Sequence, residues 1–237
     1  MVYLDNAATS FPKPKEVYEK VYSFMRDHCA NPGRSSHKMA RVSAQYILKT
    51  RENIAALFNI SNPLRIGFTP NATYALNMAI KGVLKKGDHV VTTSLEHNSV
   101  LRPLYELKRK GFINYSIVEP KNIFGDINIY DISKAVRFNT RLIIVTASSN
   151  VTGNILPYEY IGEIAKRQGV LYMVDASQGA GVLPFDVEKM YIDLLAFPGH
   201  KGLMGPQGTG GLYVSENVKL TSIIEGGTGS KSFETVH

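Results

Sequence analysis

The sequence predicts an α/β fold in which a mostly parallel, mixed sheet is covered by helices on both faces (α/β/α). Runs such as LIIVT at 142–146 and VLYMV at 170–174 are almost wholly apolar, as strands buried on both faces must be. Segments with apolar residues at helical spacing alternate with such runs, which is the pattern of βα units. The chain has 237 residues, 44% of them hydrophobic; that is enough for one substantial core without disulfides or a structural metal.

Residues 1–15 read as an extended arm marked by Pro12 and Pro14, and 16–237 as the large domain. Val17, Val21, Phe24 and Met25 stand at helical spacing, predicting a short amphipathic helix over 16–25. The stretch NPGRSSH at 31–37 is turn-rich. A longer helix follows, its apolar stripe traced by Ala44, Ile47, Leu48, Ile54, Ala55 and Phe58, and 59–63 closes it. Then come a strand at 66–69, a helix at 73–84, a strand at 89–93 and a helix at 99–110. The alternation continues with a strand at 115–118, a helix at 129–136, a strand at 142–146, a helix at 158–168 and a strand at 170–174. Two further strands are expected at 193–197 and 211–214.

Bulk properties narrow the function. The net charge is +7, from 27 Lys and Arg against 20 Asp and Glu, but the basic residues are dispersed, with no aromatic-interleaved strip of the kind that binds nucleic acid. The single cysteine, Cys29, excludes an internal disulfide framework and fits a reducing compartment. It reads as a small packing residue rather than a reactive thiol. No metal-ligand spacing occurs. The amino terminus has no signal-peptide pattern, and no run of about eighteen apolar residues is present. The expectation is a soluble, cytoplasmic protein with neither membrane nor nucleic-acid partners and with no bound metal.

In sheets of this kind ligands bind beyond the carboxyl ends of the strands, and those ends carry polar groups. Asn71, Ala72 and Thr73 follow the first strand, and Glu96, His97 and Asn98 the second; Asn150, Asp175 to Gln178, and Lys201 follow later ones. Thr73 opens a helix whose free N–H groups and positive dipole end suit a phosphate, unless Thr73 only caps its own helix. Asp175 ends an apolar strand, where an uncompensated carboxylate is costly, so it calls for a cation: a protonated pyridine nitrogen, or a structural ion pair. His97 is suited to lie over an aromatic ring or to sit on the surface. Gln178 and Asn150 are suited to bond a ring oxygen or to satisfy loop backbone.

Lys201 stands in PGHKGLMGPQGTGG, a glycine-rich loop in which backbone can turn sharply and a ligand can approach closely. The phosphate-loop pattern needs Ser or Thr after the lysine, and Gly202 is there instead. Lysine forms imines with aldehydes when burial or nearby cations lower its pKa. A pyridoxal phosphate site would account for Lys201, Asp175 and the helix-start anion site with one ligand.

Seven stretches taken together, YLDNAAT, NPGRSSH, FTPNATYALN, EHNS, SNVTG, VDASQ and GHK, resemble the class V aminotransferase family, in its cysteine desulfurase and selenocysteine lyase branch. The resemblance covers almost the whole chain. It implies the pyridoxal-phosphate-dependent fold type I large domain, with Lys201 as imine lysine and proton shuttle and His97, the second catalytic residue, stacked on the ring. It also implies Asp175 on the pyridine nitrogen, Gln178 on the ring oxygen, phosphate contacts from Ala72, Thr73 and His200, and Asn150 on the substrate side. Thr228 is implied as a phosphate contact for a neighbouring subunit of a homodimer. The implied reaction removes sulfur from L-cysteine, giving L-alanine and an enzyme persulfide that a sulfur-acceptor protein can take up.

Two departures from the family pattern stand out. Pro198 occupies the position three before the lysine, where a hydroxyl residue is usual, and it offers neither hydroxyl nor N–H. The family also continues into a smaller carboxyl-terminal domain with the sulfur-accepting cysteine and a carboxylate-binding arginine, which this sequence is expected to lack. Another transaminase or lyase of the family, or a cofactor-binding protein without turnover, is therefore the alternative.

Overall fold

The structure, a computed structural model, describes residues 2–33 and 37–226. Its centre is a seven-stranded sheet built from β1 (Ile66–Thr69), β2 (His89–Thr93), β3 (Asn114–Val118), β4 (Thr140–Thr146), β5 (Leu171–Asp175), β6 (Leu194–Pro198) and β7 (Gly210–Val214). The spatial order is β1-β7-β6-β5-β4-β2-β3. Strand β7 runs antiparallel to both its neighbours, and the other pairings are parallel. The expected mostly parallel, mixed sheet is thus present.

Six α-helices accompany it among the described residues: α1 (Lys15–Asp27), α2 (Lys38–Phe58), α3 (Ala72–Val83), α4 (Asn98–Arg109), α5 (Ile129–Ala135) and α6 (Tyr158–Gln168). Alternate residues of the central strands point to opposite layers. Ile143, Val145, Tyr172, Val174, Leu195 and Phe197 join Phe58 of α2, Ile132 of α5 and Ile161 of α6. Leu142, Ile144, Met173, Leu194 and Ala196 join Leu76 and Ile80 of α3 and Leu104 of α4. Both faces of the sheet are therefore closed, which explains why its strands lack polar alternation.

Local chemistry sets the helix ends. Asn59 closes α2 in the left-handed conformation and Gly169 does the same for α6. Helix α1 behaves differently: none of its residues is buried, and its contact with α2 runs through Phe24 and Tyr46, whose ring centroids are 5.0 Å apart. Its apolar stripe predicted the helix correctly but does not enter the core. Cys29, read as a packing residue, is in fact exposed, because it lies in the connection between these two peripheral helices.

Candidate active site

The carboxyl ends of β1, β2, β4, β5 and β6 open on one cavity. Its empty space, including the open mouth, is about 540 Å³. Ala72, Thr73, His97, Asn150, Asp175, Gln178, His200 and Lys201 all line it. Thr228 and residues 34–36 of NPGRSSH lie outside the described residues.

One wall is the start of α3. Asn71 is the N-cap, its side chain accepting from the Tyr74 N–H at 2.8 Å. Thr73 is therefore not the cap, and its hydroxyl lies 2.8 Å from the Ser99 hydroxyl in the first turn of α4. The N–H groups at the first two helical positions, Ala72 and Thr73, have no acceptor within the helix. They line the cavity at the positive end of the helix dipole, an anion site. His97 caps α4, its Nδ1 accepting from the Ser99 N–H at 3.1 Å.

The floor is Asp175, 1% exposed at the end of β5. Its Oδ1 accepts from the Ser177 N–H at 2.9 Å and the Ser177 hydroxyl at 2.5 Å. Burial raises the Asp175 pKa, while the Ser177 bonds and the charges of His97 and Lys201 oppose that rise. Lys201, three residues beyond β6, has its pKa lowered by burial, with Asp175 pulling the other way. Burial lowers the pKa of His200 too, and Lys201 and Lys13 add to the effect. A buried carboxylate and a half-buried amine thus share one chamber, each carrying its charge at a cost that a suitable ligand would relieve.

The glycine-rich loop serves packing as much as ligand approach. A Cβ on Gly210 would lie 2.9 Å from the Asn71 carbonyl carbon and 2.9 Å from the Phe197 carbonyl oxygen. Only glycine there lets the start of α3 sit against β7. Similarly, a side chain on Gly202 would collide with the Ala180 carbonyl.

Several residues at or near the site were given no role by the sequence. Ser99, Thr146, Ser148 and Ser177 line the cavity; of these, Ser177 had a local signal, two residues after a buried Asp where side-chain turns form. Glu96, 6% exposed behind the cavity, accepts from the Thr93 hydroxyl at 2.6 Å, and burial pushes its pKa up to about 8. Gln178 donates to the Ala7 carbonyl at 3.2 Å, so the amino-terminal arm already uses one of its donors. Asn150 is exposed at the mouth. Pro198 lines the cavity, and the nearby hydroxyl supply comes from Thr73 and Ser99.

The comparisons with known proteins bear on the family. A family model described as Aminotransferase class-V matches residues 2–236. The cysteine desulfurase IscS of Neisseria meningitidis serogroup C is 37% identical over 99% of this chain, which spans 58% of that relative. A probable cysteine desulfurase of Methanothermobacter thermautotrophicus is 36% identical over 95% of the chain and 56% of its own length. Among solved structures, SspA in complex with cysteine superposes with TM-score 0.88 and 35% identity, over 96% of this chain and 65% of that one. The apo cysteine desulfurase of Thermococcus onnurineus superposes with TM-score 0.85 and 35% identity, over 91% and 54%. The chain thus spans a little over half the length of the curated relatives it matches.

Proposed function

The chain belongs to the class-V aminotransferase family, and from that premise we propose that it is a pyridoxal-phosphate-dependent enzyme of the cysteine desulfurase type. The observation that carries this reading is the meeting of the Lys201 amine and the Asp175 carboxylate in one cavity beside the start of α3. The donor set fits the cofactor: an amine kept from easy protonation, a buried acid lacking a full counter-charge, and a helix N-terminus for an anion. When bound, pyridoxal phosphate supplies an aldehyde for an amine and a ring that withdraws electrons.

In this reading residues 16–237 form the cofactor-binding domain. Lys201 would be the residue that holds the cofactor's aldehyde, and its amine would hold and move the proton of the substrate's α-carbon. Asp175 would hold the pyridine nitrogen in its protonated form, and that cation would offset the cost of the buried carboxylate. His97 would lie on the ring, Gln178 would bond the ring oxygen, and Asn150 would meet the substrate. Ala72, Thr73 and His200 would hold the phosphate, and Thr228 is assigned to the phosphate of a second copy in a homodimer. The substrate is L-cysteine: its carbon–sulfur bond breaks, the carbon takes up a proton to leave L-alanine, and a thiol takes the sulfur as a persulfide. Cys29 does not line the cavity, so the receiving thiol is another one, which a sulfur-acceptor protein would supply or relieve.

No described helix is long and apolar enough to cross a membrane, and a cytoplasmic location accords with the single exposed cysteine. Pro198 favours a second reading, cofactor binding without turnover, since it adds no donor at the phosphate end.

The test mixes the purified chain with pyridoxal phosphate and records the visible absorbance of the lysine-bound cofactor. Borohydride should fix the label on Lys201, Lys201→Ala should show no band, and L-cysteine, with a small thiol such as dithiothreitol added to take the sulfur, should yield L-alanine. An unaltered spectrum in Lys201→Ala would overturn the assignment. Labelled Lys201 without alanine would support the second reading.

A further inference from the structure

Outside the roles assigned above, one cluster stands apart. The amino-terminal arm converges on a single atom, the His200 carbonyl oxygen. It accepts from the Lys13 ammonium at 2.9 Å, the Thr9 hydroxyl at 3.0 Å, and the Ser10 hydroxyl and N–H at 3.2 Å each. The Thr9 hydroxyl also lies 3.0 Å from His200 Nδ1. These contacts join residues about 190 positions apart.

Lys13 differs from the other members in carrying a charge. Its ammonium donates to the Ser10 carbonyl at 3.0 Å and the Ser10 hydroxyl at 2.8 Å as well as to His200. All three donors therefore meet neutral oxygens. Among the described residues no carboxylate lies within ion-pair distance of it. A surface lysine engaged only in solvation needs no such cradle; this one has its side chain held in one geometry against the residue that precedes Lys201.

We propose that Lys13 is a positioning residue for the cofactor loop: it ties the amino-terminal arm to the His200 carbonyl and holds an uncompensated positive charge beside His200, the residue before Lys201. Three donors besides Lys13 crowd the same carbonyl, so the peptide joining His200 to Lys201 is fixed in direction, and with it the origin of the Lys201 side chain. The charge acts separately from the tether. The charges facing His200 are Lys13 from the arm and Lys201 from its own loop, both positive, so they disfavour the imidazolium until an anion arrives. A phosphate-bearing ligand would meet this concentrated positive potential together with the start of α3. Lys13 is thus assigned to binding and orientation rather than to bond making.

The proposal rests on the reading of His200 and Lys201 as cofactor contacts, but its first test needs no cofactor. The His200 ring is followed by NMR across pH in the cofactor-free chain, with His200→Gln identifying its signal. Lys13→Met should raise the His200 midpoint by about half a pH unit or more, the direction expected when a nearby cation is removed. Lys13→Arg should leave it near the parent value. Pyridoxal phosphate affinity should fall about five- to tenfold in Lys13→Met and stay within about twofold in Lys13→Arg. An unmoved His200 midpoint in Lys13→Met overturns the proposal, even if that variant is less stable. So does a Lys13→Arg protein as defective as Lys13→Met. If the parent chain takes up no pyridoxal phosphate, the functional reading fails and the NMR arm still decides the role of Lys13.

Discussion

The hydroxyl of Thr73 lies 2.8 Å from the hydroxyl of Ser99, joining the first turns of α3 and α4 at the wall of the cavity that we assign to an anion. The pair holds two hydroxyls and two helix starts in fixed relation, and it does so on the side where Pro198 contributes no donor. Thr73→Val keeps the shape of the side chain but removes its hydrogen bond. Pyridoxal phosphate affinity should fall about tenfold, roughly 1.4 kcal/mol, with a smaller loss in Ser99→Ala. Titration of the visible band measures both. Equal affinity in Thr73→Val would show that the phosphate end does not use this hydroxyl.

Asp175→Asn should separate stability from activity. Burial raises the Asp175 pKa, so the folded, cofactor-free protein binds this proton more tightly than the unfolded chain. The linked stability is present below the unfolded carboxylate pKa and is lost as pH rises through the raised folded value. At neutral pH the neutral amide should therefore raise the melting temperature of the cofactor-free chain, by about 2–4 °C for each kcal/mol relieved. Alanine formation should drop by about two orders of magnitude, the scale of losing one electrostatic stabiliser. A lower melting temperature in the variant would contradict the account of the buried charge.

Glu96 gives a second pH signature, with a defined window. Its pKa is pushed up to about 8 by burial, against an ordinary value of 4.5. Between those values the folded state keeps a proton that the unfolded chain has released, so stability should decline as pH rises from about 4.5 to about 8. The total loss is on the order of a few kcal/mol. Glu96→Gln should flatten that decline in urea denaturation curves collected across the window. A variant with the parental pH dependence would assign the decline to other groups.

Two glycines should respond differently to alanine. On Gly162 of α6 a Cβ would collide with the Met190 carbonyl, which is not a cavity residue, so Gly162→Ala should cost about 1–3 kcal/mol of stability without a specific change in cofactor affinity. On Gly210 the Cβ would press on Asn71, the cap of α3. Gly210→Ala should lower both stability and pyridoxal phosphate affinity. Paired thermal melts and cofactor titrations distinguish the two; matching profiles would refute the claim that Gly210 positions the anion wall.

Much of the site was legible because strands and helices announce themselves locally. The apolar runs at 142–146 and 170–174 marked buried strands, and the polar residues just beyond them proved to be cavity residues. Thr73 shows where this stops. Sequence left its capping role open, and the structure assigned the cap to Asn71 because only the folded backbone tells which side chain reaches the free N–H groups. Cys29 shows the same limit, since exposure depends on what else packs nearby.

By itself the sequence determined the alternation of elements, the set of strand-end residues and the amine and carboxylate around which the site is built. Periodicity and turn chemistry act over a few residues, and those features are encoded at that range. The tertiary structure alone decided that β7 enters antiparallel between β1 and β6, that Glu96 is buried behind the cavity, and that Lys13 meets His200 across 187 positions. Such partnerships depend on strand order and register, which arise only when the two apolar layers close on the sheet and bring distant segments together.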